Sequence, residues 1–435
     1  MPTSYDLLIK HAQLRHRPGQ SFDIAIVDGR IASIAEHIDG TAATEIDAHG
    51  KLVTESFVNP HLHLCKVYTL YRMDEAAIKD YHGGEMGKAM TAIELAARVK
   101  ADYDEVWIIR NVRRAVALAA LYGNTHIRAL ADVDSKARLE GVKALLRARE
   151  EFKGIVDIQV VAFAQDGLQR EPGALDLMRQ ALQLGADVVG GIPWIEYTDD
   201  DIKAHVKDCF DLAVEFDKDV SMLVDDAGGD PGLRSLEIMA VETIKRGWQG
   251  RALAHHARAM ALYPQPYFQK LVALLKQAQL GVVSDPHTGP LHARVKDLLA
   301  EGALVCLGQD DISDAYYPYG RNNLLEVAFL ASHLLWMTTR GEMETLYDMI
   351  TLNAARAMNL RDFGLKAGAP AHLVVLDAPN VLEALRDHAA PAHVISHGRL
   401  IDRVKMQTIL RSNEAHHYGN ALGADQMKRG GCIRQ

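Results

Sequence analysis

The sequence predicts a (β/α)8 barrel, the TIM barrel fold, with one small β domain beside it formed by both termini. Three observations predict it: eight short apolar runs that end in polar residues, amphipathic stretches between them at near-regular spacing, and strand-like alternation at the two ends of the chain. Composition agrees, because 435 residues with 48% hydrophobic content exceed what one compact core absorbs, and longer chains divide into a large and a smaller unit.

At the N-terminus, "YDLLIKHAQL" (5–14) and "FDIAIVDGRIASIAE" (22–36) alternate like strands around Asp28-Gly29. Such a dipeptide suits a two-residue hairpin, whose turn positions need positive φ. The barrel runs follow: "SFVNPHLHL" (56–64), "HIRALADVD" (126–134), "DIQVVAFAQD" (157–166), "DVVGGIP" (187–193), "DVSMLVDD" (219–226), "RALAHH" (251–256), "LGVVSDP" (280–286) and "ALVCLGQDD" (303–311). Polar landmarks at 134, 165, 192, 226, 256, 285 and 310 lie 25 to 34 residues apart, the length of successive βα units. The stretches between, such as "SKARLEGVKALLRAREEF" (135–152) and "ALDLMRQALQLG" (174–185), place apolar residues at three and four, with Gly185, Gly247 and Gly302 positioned as helix stops. An open doubly wound sheet is the alternative, but it stops at five or six strands and begins with a Gly-rich turn that is absent here.

About sixty residues (66–125) separate the first two runs, so an inserted segment over the barrel mouth is expected, with "YHGGEMGKAM" (81–90) as a mobile part. Near the C-terminus, "PAHLVVLDAP" (370–379) and "PAHVISHGRLIDRV" (391–404) alternate again, and "SHGRLIDR" echoes "VDGRIASI". Residues 1–56 and 366–410 are therefore expected to form this small β domain, 57–365 the barrel carrying the active site, and 411–435 a polar tail.

The bulk numbers also exclude partners. A net charge of −9 disfavours nucleic acid, which needs a basic face. The longest apolar run, "AVALAALY" (115–122), is far short of the ~18 residues a membrane span needs. The first residues carry no secretion signal, and Cys65, Cys209, Cys306 and Cys432 form no C-x-x-C pair; a cytoplasmic enzyme of small molecules is expected.

"NPHLHLC" (59–65) ends the first barrel run with His61 and His63. With 20 His in 435 residues, about one H-x-H triplet arises by chance, so position must decide its meaning. In a strand, i and i+2 face the same way, about 7 Å apart. Gln165 ends the third run, Asp225 and Asp226 the fifth, His256 the sixth, Asp285 with His287 the seventh, and Asp310 with Asp311 the eighth. In such a barrel these tips meet at one mouth, and imidazoles and carboxylates there are costly to bury as mere packing. Two imidazoles and a carboxylate suit a hydrolytic divalent ion, zinc or iron, and His61, His63 and Asp310 are the leading ligand candidates.

These residues resemble the amidohydrolase superfamily, in its cytosine deaminase and N-isopropylammelide isopropylaminohydrolase branch. The most specific stretches are "NPHLHL", "DIQVVAFAQDG", "GADVVGGIPWIEYT" and "GQDDISDAYYPYGRNNLLEV". The resemblance implies a (β/α)8 barrel with a small flanking β-sandwich built from both termini, hydrolysis of a C–N bond in a small, often heterocyclic substrate, and a homo-oligomer. It makes His61, His63 and Asp310 metal ligands, lets Gln165 read an amide-like edge of the substrate, lets His256 orient substrate or water, and sets Asp311 against the substrate.

The likeness breaks at "SMLVDDAGG" on the fifth strand, where Leu223 stands for the family's ligand histidine and Asp226 for its proton-shuttling glutamate. "RALAD" (128–132) and Cys65 depart as well. Leucine offers no lone pair, so three outcomes stay open. Asp225, Asp226 or His256 fills the gap, or His61, His63 and Asp310 hold the ion alone, or the groups work without metal. The expected enzyme uses Asp226 as proton shuttle and Asp310 as second base; a binding protein on a decayed scaffold is the alternative class.

Other polar residues have plainer readings. His255, of opposite strand phase, is expected among helices, and His126, at a strand start, as a satisfied core histidine. Cys65 reads as a small buried hydrophobe. Lys66 either meets an anionic substrate group or pairs with a carboxylate, and Trp194 either walls the pocket or packs in the barrel. "TDDDIK" (198–203) reads as a solvated helix start.

Overall fold

The computed structural model describes residues 4–72, 97–227 and 229–412. The stretch 81–90 and the tail from 413 onward lie outside the described residues.

Eight parallel strands form the barrel in chain order: β6 (Phe57–Leu62), β7 (Asn124–Asp132), β8 (Asp157–Phe163), β9 (Val188–Gly191), β10 (Asp219–Val224), β11 (Ala252–His256), β12 (Gly281–Ser284) and β13 (Val305–Leu307). A parallel bridge between Leu62 and Asp310 closes the ring. Nearly every strand residue is buried, as a parallel sheet covered on both faces requires, which is why these runs read as apolar rather than alternating.

The connecting helices bury one stripe each. In Glu140–Glu151 the buried residues include Val142, Leu145 and Ala148, spaced at three. Removing such a side chain, as in Leu145→Ala, costs about 2–5 kcal/mol through lost burial and the cavity left behind. Helix Ala174–Leu184 stops at Gly185, where φ is 111°. Helix Asp199–Phe216 starts on Thr198, whose side chain accepts Asp201 N–H, with three aspartates in its first turn, so "TDDDIK" is the helix start expected.

The chain's two ends share one mixed sheet beside the barrel. It contains β1 (Ser4–Leu14), β2 (Ser21–Val27), β3 (Arg30–Ala35), β4 (Thr41–Asp47) and β5 (Leu52–Glu55) from the N-terminal side, with β14 (Leu373–Val375), β15 (His393–Ser396) and β16 (Arg399–Leu400) from the other. The order is β16-β15-β14-β5-β1-β2-β3, and β4 pairs with β1. Asp28-Gly29 and His397-Gly398 each take two positive φ values, 50° and 75°, then 49° and 73°, the conformation their hairpins demand. Because β5 runs into β6 with only Ser56 between them, the sheet lies against the N-terminal floor of the barrel, at the end opposite the C-terminal strand tips.

Candidate active site

The seam where the last barrel strand meets the first holds three ionisable side chains together. Asp310 N–H donates to the His61 carbonyl at 2.9 Å, and His63 N–H donates to the Asp310 carbonyl at 2.8 Å. Asn59 Oδ1 accepts the N–H groups of His61 and Gln309, each at 3.2 Å. Only glycine fits at 308, since a Cβ there meets His61 Cβ and Asp285 Oδ1 at 2.7 Å. His61 Nε2 thereby stands 3.4 Å from Asp310 Oδ1, and His63 Nε2 3.8 Å from the same oxygen. All three side chains are buried.

Strand β11 contributes two histidines rather than one. The chain leaves it in a left-handed step, with φ 65° at His256 and 49° at Ala257, so alternation fails at the tip. The His255 and His256 rings both face His61, with centroids 4.4 Å and 4.8 Å away. The expectation that His255 packs among helices is overturned: its Nδ1 lies 3.1 Å from His61 Nδ1, and Ser221 Oγ meets its Nε2 at 2.5 Å. His256 Nε2 is 3.8 Å from Asp310 Oδ1 and 4.0 Å from Asp226 Oδ2.

Asp226 and Asp225 part company. Asp226 is held by Arg258, whose Nε lies 2.7 Å from Oδ1, and Arg258 Nη2 reaches within 3.8 Å of Asp310 Oδ2. Asp225 accepts from Ser235 Oγ at 2.6 Å and Tyr263 OH at 2.5 Å, which occupies it with structure and removes it as a substitute for the missing histidine. Asp285 belongs to the site, its Oδ2 3.2 Å from His61 Nδ1 and 3.5 Å from His256 Nδ1. His287 lies behind, with Nε2 3.2 Å from the Gln309 carbonyl.

Lys66 donates to Gln165 Oε1 at 2.7 Å, approaches Asp132 Oδ1 at 3.4 Å, and lies over the Tyr316 ring. Asp311 and Asp314 are buried nearby. Trp194 packs with Phe163, Ile192, Leu130 and Leu223 in one apolar cluster, and Phe163 stands edge-on to His63 at 5.5 Å. Leu223, at the position where the sequence resemblance expects a ligand, is part of this apolar wall. Cys65 is buried and accepts Asp132 N–H at 3.3 Å, and burial pushes its thiol pKa up; the small-hydrophobe reading fits that setting.

Charge follows burial in this cup. Burial disfavours a charged His61, yet Asp285 and Asp310 outweigh it and raise its pKa. Burial, aided by Lys66 at His63 and by Arg258 at His256, holds those two imidazoles well below their ordinary value. Asp226 is pushed up to about 7 by burial, with Arg258 pulling down and Asp310 pushing further up. Burial and its carboxylate neighbours Asp310 and Asp314 raise Asp311 well above the usual range.

The donor set fits a divalent ion. His61 Nε2 is buried without a hydrogen-bond partner among the described residues, and His61, His63 and Asp310 bring ligating atoms within 4.8 Å of one another. A tetrahedral ion with arms of ~2.1 Å sets neighbouring donors roughly 3.4 Å apart, close to the 3.4 and 3.8 Å seen. Asp285 at His61 Nδ1 is the kind of carboxylate that turns the opposite nitrogen toward a metal.

The sequence profile of the amidohydrolase family matches residues 44–402. This chain belongs to the amidohydrolase family. As an amidohydrolase it is a hydrolase of carbon–nitrogen bonds. It is 32% identical over 404 residues to N-isopropylammelide isopropyl amidohydrolase of Pseudomonas sp. (strain ADP), covering 92% of this chain and 98% of that one. It superimposes on 5-methylcytosine deaminase from Klebsiella pneumoniae liganded with 5-fluorocytosine with a TM-score of 0.83 at 32% identity, covering 91% and 97% of the two chains. N-isopropylammelide isopropylaminohydrolase from Burkholderia multivorans gives 0.78 at 25% identity, covering 91% and 97%.

Of the expected site residues, this amidohydrolase brings His61, His63, Asp226, His256 and Asp310 to one cup, with Gln165 and Lys66 paired and Trp194 in the apolar wall. Arg258, His255 and Asp132 were not expected there. Arg258 left no signal, because it follows the strand tip by two residues in a 3-10 turn (Arg258–Leu262).

Proposed function

We propose that this amidohydrolase hydrolyses a C–N bond of a small polar heterocycle, by deamination, dealkylamination or opening of a cyclic amide. The supporting observation is that both His61 and His63 come within 3.8 Å of Asp310 Oδ1, beside Asp226 and His256. The likeness to proteins named for ammelide and 5-methylcytosine chemistry supports a planar nitrogen heterocycle as substrate.

His61, His63 and Asp310 would hold one divalent ion, zinc or iron, with His256 Nε2 3.8 Å from the same Asp310 oxygen. When bound, such an ion polarises the scissile carbon's substituent and makes water acidic. Asp226, poised at about 7, accepts a proton as water oxygen bonds to carbon, and returns it to the nitrogen as the C–N bond breaks. Arg258 fixes the Asp226 carboxylate, and Asp310 serves as second base. His256, neutral at pH 7, hydrogen-bonds substrate or water. Gln165 and Lys66 present acceptor and donor to an amide-like edge, Asp311 contacts a ring nitrogen, and Trp194 covers the ring face.

A second reading has a specific observation in its favour. The Arg258 guanidinium lies 3.8 Å from Asp310 Oδ2, so it supplies positive charge to the same carboxylate and supports acid–base hydrolysis without metal. A panel of pyrimidines, triazines, pterins and cyclic amides tests the proposal, with Asp226→Asn as control. Turnover of one class, reduced about 10²–10⁴-fold in the variant, is the expected result; a panel with no turnover and equal ligand binding by both proteins contradicts it.

A further inference from the structure

At the opposite end of the barrel, β7 and β8 begin beside the terminal sheet, and there three imidazoles meet one carboxylate. His126 is the third residue of β7 and Asp157 the first of β8. His372 precedes β14, and His397 sits in the turn after β15. We infer that His126, Asp157, His372 and His397 form a second divalent-metal site, of the zinc type, that clips the barrel floor to the sheet built by the chain's two ends.

One oxygen is the shared vertex. His126 Nε2 lies 3.5 Å from Asp157 Oδ2, and His397 Nε2 lies 3.0 Å from the same atom. Donors on a tetrahedral ion with arms of ~2.0–2.1 Å stand roughly 3.3 Å apart, so both spacings are compatible with one ion. His126, Asp157 and His372 have ligating atoms within 4.8 Å of one another. The His372 ring is 4.7 Å from His126 and 4.5 Å from His397, centroid to centroid.

The surroundings orient these rings. Thr125 Oγ1 meets His126 Nδ1 at 2.8 Å and is itself tied to Ser56 Oγ at 2.6 Å, which leaves Nε2 facing Asp157. Structural metal sites use such a partner on the far nitrogen to fix the ring. Phe363 packs edge-on to His126 and stacks on His372, so one side is apolar. Burial keeps His126 and His372 neutral at pH 7, with lone pairs free to ligate, while the exposed side of His397 provides entry. The long 3.4 Å contact from His397 N–H to His372 Nδ1 is given up on ligation, because a metal-bound neutral imidazole carries its proton on the other nitrogen.

The site differs from the active-site cup in chain position and in purpose: His126, Asp157 and His372 converge, and His397, bound to Asp157 Oδ2, would complete the four donors of a closed structural site on ligation. Its test uses the full chain, stripped with chelator, reloaded with Zn²⁺ and gel-filtered, with ions counted per chain by elemental analysis. In a His61→Asn/His63→Asn background, which disables the active-site cup, one zinc per chain is expected to remain. Adding His126→Gln/His372→Gln, or the milder Asp157→Asn if that variant folds poorly by circular dichroism, is expected to remove it and to weaken Zn²⁺ binding in calorimetry by more than about tenfold. Tetrahedral Co²⁺ absorption bands should follow the same pattern. No zinc retained in the His61→Asn/His63→Asn background, or retention unchanged by the floor substitutions, overturns the inference.

Discussion

Arg258 Nε lies 2.7 Å from Asp226 Oδ1, so the carboxylate proposed to carry protons is clamped by a buried guanidinium. Arg258 lowers the Asp226 pKa against the upward push of burial. Replacing it by Gln removes the lowering influence, so Asp226 stays protonated to higher pH and fails as a base over more of the acidic range. The acidic limb of kcat/KM against pH should move upward by about one unit or more, with activity at pH 7 reduced roughly 5- to 10-fold by that shift. An unmoved limb contradicts the assignment of Asp226 as the base.

Leu223→His tests the altered ligand shell from the other side. The new imidazole stands where the family resemblance expects a ligand, so metal retention after dialysis should rise by at least about tenfold. Leu223 is buried in the cluster with Phe163 and Trp194, so the metal-free variant should lose about 1–3 kcal/mol to chemical denaturation by burying a polar ring. Both shifts are read on one protein, and equal metal retention in both proteins contradicts the account of Leu223.

Gln165 is tied to Lys66 at 2.7 Å, which aligns the pair for a donor–acceptor edge. Gln165→Ala should raise KM roughly 5- to 150-fold, the loss of about 1–3 kcal/mol of hydrogen bonding, while kcat changes less. A variant with unchanged KM and lowered kcat argues that Gln165 acts on the reaction rather than on binding.

Much of this site was legible in the chain, for a physical reason. Parallel strands buried on both faces must be apolar, so His61, His63, His256 and Asp310 stand out at their ends. Asp285 was legible as a position and not as a role. His255 misled because strand alternation holds only while the backbone stays extended; the left-handed residues His256 and Ala257 bring consecutive histidines to one neighbour. Arg258 was missed because nothing local marks a cation two residues past a strand tip as facing inward. Residue type alone does not separate Asp225 from Asp226; the family resemblance favoured Asp226, and Ser235 and Tyr263, far along the chain, occupy Asp225 with structure. The cluster under the barrel was illegible because it joins β7 and β8 to residues near 372 and 397.

That cluster also makes stability depend on pH. Burial holds His126 at about 4 and His372 at about 3, below the ~6.5 of an unfolded imidazole. Between those values these two imidazoles bind protons in the unfolded chain and not in the folded one, so their contribution to stability falls as pH drops from ~6.5 toward ~4, while His397, raised by its bond to Asp157, offsets part of that loss. His126 alone accounts for a loss on the order of 2–3 kcal/mol. Urea unfolding with chelator present should show this slope, reduced in His126→Asn; an identical slope in the variant contradicts the burial argument.

The central claim is that His61, His63 and Asp310 hold one working ion. Metal content and turnover, measured on the same preparation of the native chain and of Asp310→Asn with a substrate from the panel, test it most directly. The account predicts that Asp310→Asn carries one fewer ion per chain than the native protein and loses turnover by at least about 10²-fold. Equal metal content in the two proteins, or native turnover that persists undiminished after the ion is stripped, would contradict it.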